Sequence, residues 1–160
     1  MSDDIVEALS AAIDREKIIA INATVIPSPS HANAYPGNHL LINCVYQAPV
    51  ASQDASRVLA VARADTVAIL RCLVAENALR GIESVCVTFI APTSDYSPRR
   101  RLYRYSVLSS AIRTVPESID DDFLISNRLF LQESEVPDIC ELLEREPRRE
   151  THLKKELWSE

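Results

Sequence analysis

The chain has 160 residues, 47% of them apolar and 25% charged, with a formal net charge of −6. That length suits one domain with a sizeable core, and the composition is that of a soluble globular protein. Two glycines exclude a P-loop and a dinucleotide fingerprint, and the net acidity opposes non-specific nucleic-acid binding.

The N-terminus opens on Met1-Ser2-Asp3-Asp4. Ser2 suits an N-cap, and the two acids suit the positive end of a helix dipole. Ile5, Val6, Leu9, Ala12 and Ile13 recur on one helical face as far as Glu16. No basic segment precedes an apolar one, so a signal peptide is not expected.

From Lys17 to Ile26 the period changes to two, with Ile19, Ile21, Ala23 and Val25 alternating against Ala20, Asn22 and Thr24. This predicts a strand stopped by Pro27-Ser28-Pro29-Ser30, because proline donates nothing to a ladder. A loop with Pro36-Gly37 at turn positions follows, then a second strand over His39–Gln47. The two strands are expected to form a hairpin.

Ser52 or Asp54 caps a long predicted helix running to Arg80, with Gly81 just beyond its end. Its apolar groups fall on two sides, Ala60, Ala64, Val67, Val74 and Ala78 on one, Leu59, Ala62, Ile69, Leu70 and Leu73 on the other. Two apolar sides imply two covers: the sheet, and either the terminal helices or a second subunit. Arg63, Asp65 and Arg71 interrupt the stretch and argue against a membrane span.

Ser84–Ile90 reads as a third strand and Arg99–Leu108 as a fourth. The expected fold is α+β, with a small, mostly antiparallel four-stranded sheet in the order α-β-β-α-β-β and one long central helix. Residues 1–116 form the core domain, and residues 117–160 an acidic, mostly helical extension packed on the core or on a partner. In that extension Asp138–Glu146 and Arg149–Trp158 read as helices, the second presenting Leu153, Leu157 and Trp158 for docking. Residues 1–116 hold 11 basic and 10 acidic groups; residues 117–160 hold 6 and 13, so the acidity belongs to the extension.

Catalytic and metal signatures are weak. Cys44, Cys72, Cys86 and Cys140 form no C-x-x-C pair and read as buried free thiols of a reducing, cytoplasmic compartment. His31 and His39 flank one loop without an acid or cysteine to complete a set, and His152 stands apart. Asp120-Asp121-Asp122 lacks the alternation and turn glycine of a hard-cation loop and reads as a solvated run. No cofactor or metal is called for, and an enzyme is not expected.

The distinctive motif is Arg99-Arg100-Arg101-Leu102-Tyr103-Arg104-Tyr105. Strand parity puts Arg99 and Arg101 with Tyr103 and Tyr105, and Arg100 with Leu102 and Arg104. Guanidinium groups grip phosphates or carboxylates and tyrosines stack, so the strand is a candidate partner- or anion-binding site. The plainer reading is an edge strand protected by charge with its tyrosines packed inward. Pairing of Arg99–Arg104 with the acidic stretch 117–146 is the simplest account of the cluster. The function expected is a non-enzymatic protein-interaction module, an adaptor, small chaperone or assembly subunit, whose partner is another protein or a second copy. The alternative is a nucleic-acid or phospho-ligand binder using Arg99–Tyr105.

Overall fold

The computed structural model describes residues 3–28, 37–92, 100–112, 115–128 and 133–146. Helix α1 (Asp3–Ala12) buries Ile5 and Leu9, with Ile13 just past its end, along one edge. That edge lies against the long helix α3 (Ala55–Ala75) and the strand β1 (Ile18–Ser28). The i, i+4, i+8 spacing brings these side chains under one another, and each fully buried one stabilises the fold by about 1.5–3 kcal/mol.

Four strands form one sheet in the order β1-β2-β3-β4, with β2 at Gly37–Tyr46, β3 at Ser84–Ile90 and β4 at Arg101–Leu108. The outer pairs are antiparallel, but β2 and β3 run parallel, from His39 opposite Ser84 to Val45 opposite Ile90. The sheet is therefore mixed, not mostly antiparallel as expected. The reason is the connection: a strand that returns through a crossover helix comes back in its original direction. The element order also gains a one-turn helix, α2 (Ala48–Ala51), started by Pro49.

Pro27 does not end β1, which continues to Ser28 with Pro27 opposite Asn38. An outer strand tolerates a residue without an N–H. Gly37 opens β2 at φ +128°, with the Glu83 Cβ only 3.3 Å from where a Cβ would sit.

Asp54 caps α3 by accepting a hydrogen bond from the Arg57 N–H at 3.1 Å. The helix ends well before the expected Arg80. Asn77 takes the left-handed conformation at φ 54°, and the N–H groups of Asn77 and Ala78 close back on Val74 O and Leu73 O. This is the Schellman pattern, with asparagine in place of the usual glycine; Gly81 turns the chain again at φ 78°.

One stripe of α3 is fully buried: Val58, Leu59, Ala62, Asp65, Thr66, Ile69, Leu70 and Leu73. Of the second apolar side, Ala60 and Ala64 are exposed, while Val67, Val74 and Ala78 are half-buried. The stripe lies over Leu40, Ile42, Cys44 and Tyr46 of β2, Val85, Val87 and Phe89 of β3, and Tyr103, Tyr105 and Val107 of β4, all in one core. Helices α4 (Asp121–Asn127) and α5 (Pro137–Glu144) pack on α3 as well and add Phe123, Leu124 and Ile139 to that core. The expected helix 149–158 lies outside the described residues.

All four cysteines are free. Among the described residues no helix is long and apolar enough to cross a membrane.

Candidate interaction surface

The two edges of the sheet are unlike. Along β4, Arg128, Glu133 and Glu135 lie against the outer side and close the edge. Arg104 N–H donates to Glu133 O at 2.9 Å, Glu133 N–H to Arg104 O at 3.3 Å, and Glu135 N–H to Arg101 O at 2.8 Å. Arg128 forms a second bridge with Val107. Side chains reinforce the backbone: Arg101 lies 3.3 Å from the Glu133 carboxylate and 3.9 Å from that of Glu135, and Arg104 lies 4.0 Å from Glu133. Arg104 Nε also donates to Cys86 Sγ at 3.2 Å.

The arginine strand is thus held by acids of the chain's own C-terminal part. Among the expected site residues, Arg101 and Arg104 meet Glu133, and Arg100 is exposed. Tyr103 and Tyr105 point the other way, into the core. The Tyr103 ring stacks at 6.3 Å on Phe89, which stacks at 5.2 Å on Tyr46. Rings so placed present no face to an outside base. A one-residue slip between Phe89 and Ile90 sets Arg101 opposite Ile90 while Tyr103 stays opposite Phe89. Successive residues of β3 face opposite ways, so the slip separates Arg101 from the tyrosine face to which simple parity assigned it. Arg99, His31, His152, Leu153, Leu157 and Trp158 lie outside the described residues.

Two polar clusters are buried beneath the helices. Asp65, 4% exposed on α3, accepts from Lys17 Nζ at 2.9 Å and from the Tyr46 hydroxyl at 2.6 Å. Burial and the Asp65 charge push the Tyr46 phenol far above its ordinary value, and the same two causes push the Cys44 thiol up to about 12. Arg63, also on α3, pairs with Glu146 just past α5 and hydrogen-bonds Tyr103; burial raises the Tyr103 phenol, and Arg63 partly offsets this. These groups tie α3 to β1, β2, β4 and α5.

His39 stands on β2 with Nδ1 2.6 Å from Ser84 Oγ. Asp120 caps α4 by accepting from Phe123 N–H at 2.9 Å, which leaves Asp121 and Asp122 in the first turn at the favourable end of the helix dipole. Among the described residues no three of histidine, cysteine, aspartate and glutamate gather as metal ligands.

The opposite edge, β1, pairs only with β2 among the described residues. Its eleven residues Ile18–Ser28 carry no charge. Among the described residues, two of the three exposed large apolar side chains are here, Ile19 at 54% and Ile26 at 45%; the third is Val115. Ile21, Ala23 and Val25 face the core yet stay half-buried. An outer strand without charge is a template for pairing with another chain. Alternation marks Lys17–Ile26 as a strand in the sequence but does not mark it as an open edge. The signal in the sequence is the charge-free run over the eleven residues Ile18–Ser28; their outer position is a property of the assembled sheet.

No family model, curated protein or solved structure matches the chain.

Proposed function

We propose that the protein is a non-enzymatic interaction module, in the manner of an adaptor, small chaperone or assembly subunit, that docks its partner along β1. The observation that carries this is the difference between the edges: β4 is closed by Glu133 and Glu135, while β1 is uncharged and exposes Ile19 and Ile26. Strand addition supplies affinity through main-chain hydrogen bonds and specificity through alternate side chains.

The test is affinity capture from a lysate of the source cells with two baits, the wild type and the doubly substituted Asn22→Lys, Thr24→Lys chain. Both positions are exposed on β1. Loss of captured proteins from the substituted bait alone is the expected result. Equal capture by both baits removes β1 as the docking edge.

A further inference from the structure

We infer that the partner seated on β1 is a second copy of this chain, paired antiparallel about a two-fold axis at Ala23; this rests on β1 being the docking edge.

An edge that meets its own image faces a strict requirement. A two-fold axis perpendicular to the sheet keeps each side chain on its own face and sets residue i opposite residue 46 − i when it passes through Ala23. A charge within a residue or two of the axis lies near its own copy across a narrow interface, where like charges repel. Ile18–Ser28 has none. Strands that receive a foreign partner commonly use charge to choose it.

Within three residues of Ala23 the sequence is also symmetric in chemistry; the next pair, Ile19 with Pro27, is not, and Pro27 brings no N–H, so the paired stretch is residues 20–26. One step out stand Asn22 and Thr24, both polar and exposed. Two steps out stand Ile21 and Val25, both β-branched, core-facing and half-buried. Three steps out stand Ala20 and Ile26, both apolar and exposed. About Ala23, polar therefore meets polar, β-branched meets β-branched, and apolar meets apolar. The pairs Ile21–Val25 and Ala23–Ala23 extend the core layer across the junction, and Ala20 covers Ile26. Centring on Asn22 instead sets Ala23 against Ile21 and leaves Val25 facing Ile19, the residue at the irregularity between Ile18 and Ala20. The product is one continuous eight-stranded sheet, within the usual range of sheet sizes.

The decisive measurement is the mass of the full chain by light scattering or sedimentation, on the wild type and two substituted chains, with circular dichroism to verify folding. The wild type is expected at twice the single-chain mass. Asn22→Lys with Thr24→Lys sets lysine against lysine at both symmetric contacts and is expected at the single-chain mass. Asn22→Glu with Thr24→Lys sets glutamate against lysine at both contacts and is expected to keep the doubled mass. A single-chain mass for the wild type overturns the inference, as does a doubled mass for the two-lysine chain. A folded glutamate–lysine chain at single mass also overturns it, because only pairing about Ala23 joins 22 to 24. If the two-lysine chain does not fold, the other two masses still decide. A monomeric wild type whose lysate captures depend on positions 22 and 24 sinks the second copy and leaves β1 as a docking edge. A monomer without such captures removes both.

Discussion

The hydroxyl of Tyr46 donates to Asp65 across 2.6 Å in the middle of the core, and Lys17 holds the other carboxylate oxygen at 2.9 Å. One carboxylate thus fixes the end of β2 and the start of β1 against a single turn of α3. The Tyr46 ring is stacked on Phe89, so the same contact sets the aromatic row that runs through β3 to Tyr103.

Removing that hydroxyl costs more than removing another buried tyrosine hydroxyl nearby. Tyr46→Phe leaves a buried carboxylate oxygen short of its donor and is expected to lower stability by about 1.5–3 kcal/mol. Tyr105 is equally buried, but its hydroxyl has no hydrogen-bond partner among the described residues. Tyr105→Phe is expected to leave stability unchanged or raise it by up to about 1 kcal/mol. Urea midpoints of the two variants check the contrast, and a larger loss for Tyr105→Phe contradicts it.

Alkaline conditions weaken the fold in a defined window. Burial holds the Cys44 thiol neutral up to about 12, against an ordinary value of 9.0. Between those limits the unfolded chain gives up this proton and the folded chain keeps it, so stability is full below pH 9 and falls as pH rises towards 12. The buried tyrosines Tyr46, Tyr103 and Tyr105 are raised as well and add in the same direction. Cys44→Ala is expected to be less stable at neutral pH yet to lose less between pH 9 and pH 11. Denaturant titrations at several pH values measure both effects. Below pH 9, Cys44 is also expected to be the last of the four thiols labelled by a thiol reagent.

The acids along β4 screen the arginines. Glu133→Gln with Glu135→Gln removes ion pairs that are a third to a half exposed, which costs stability about 1 kcal/mol or less. It also frees Arg101 and Arg104 to meet an external anion. The expected result is stronger retention on a heparin column at low salt than the wild type shows. Identical elution means that the two carboxylates do not mask the strand.

The end of α3 offers a stabilising change. Asn77 sits at φ 54°, where glycine pays no steric cost. Asn77→Gly is expected to raise stability by about 0.5 kcal/mol, and Asn77→Ala to lower it by about 1 kcal/mol. Thermal melts order the three chains, and the reverse order excludes the Schellman end.

Much of the fold was legible because each local period is set by what a segment buries. Alternation in Ile21–Val25 and Val85–Phe89 marked strands, and the i, i+4 apolar set of α1 marked a helix. The parallel pairing of β2 with β3 was also available: two strands joined through a long helix return in the same direction. The helix end was misplaced because Asn77 does the work for which Gly81 looked better suited. The inward turn of Tyr103 and Tyr105 followed from parity, but the slip beside Ile90 that moves Arg101 depends on cross-strand register and leaves no local mark. The meeting of Arg104 with Glu133 joins residues 29 positions apart, and no local pattern in the sequence marks one as the partner of the other.

The Arg104–Glu133 pairing has a consequence for how far the sheet can grow. Addition of strands to both sides of a sheet propagates without limit and ends in fibres. Glu133 occupies the N–H and C=O of Arg104, so one side is already terminated from within. If β1 pairs with a second copy, the residues around Glu133 keep that assembly finite, and their loss would open the sheet to further addition at β4.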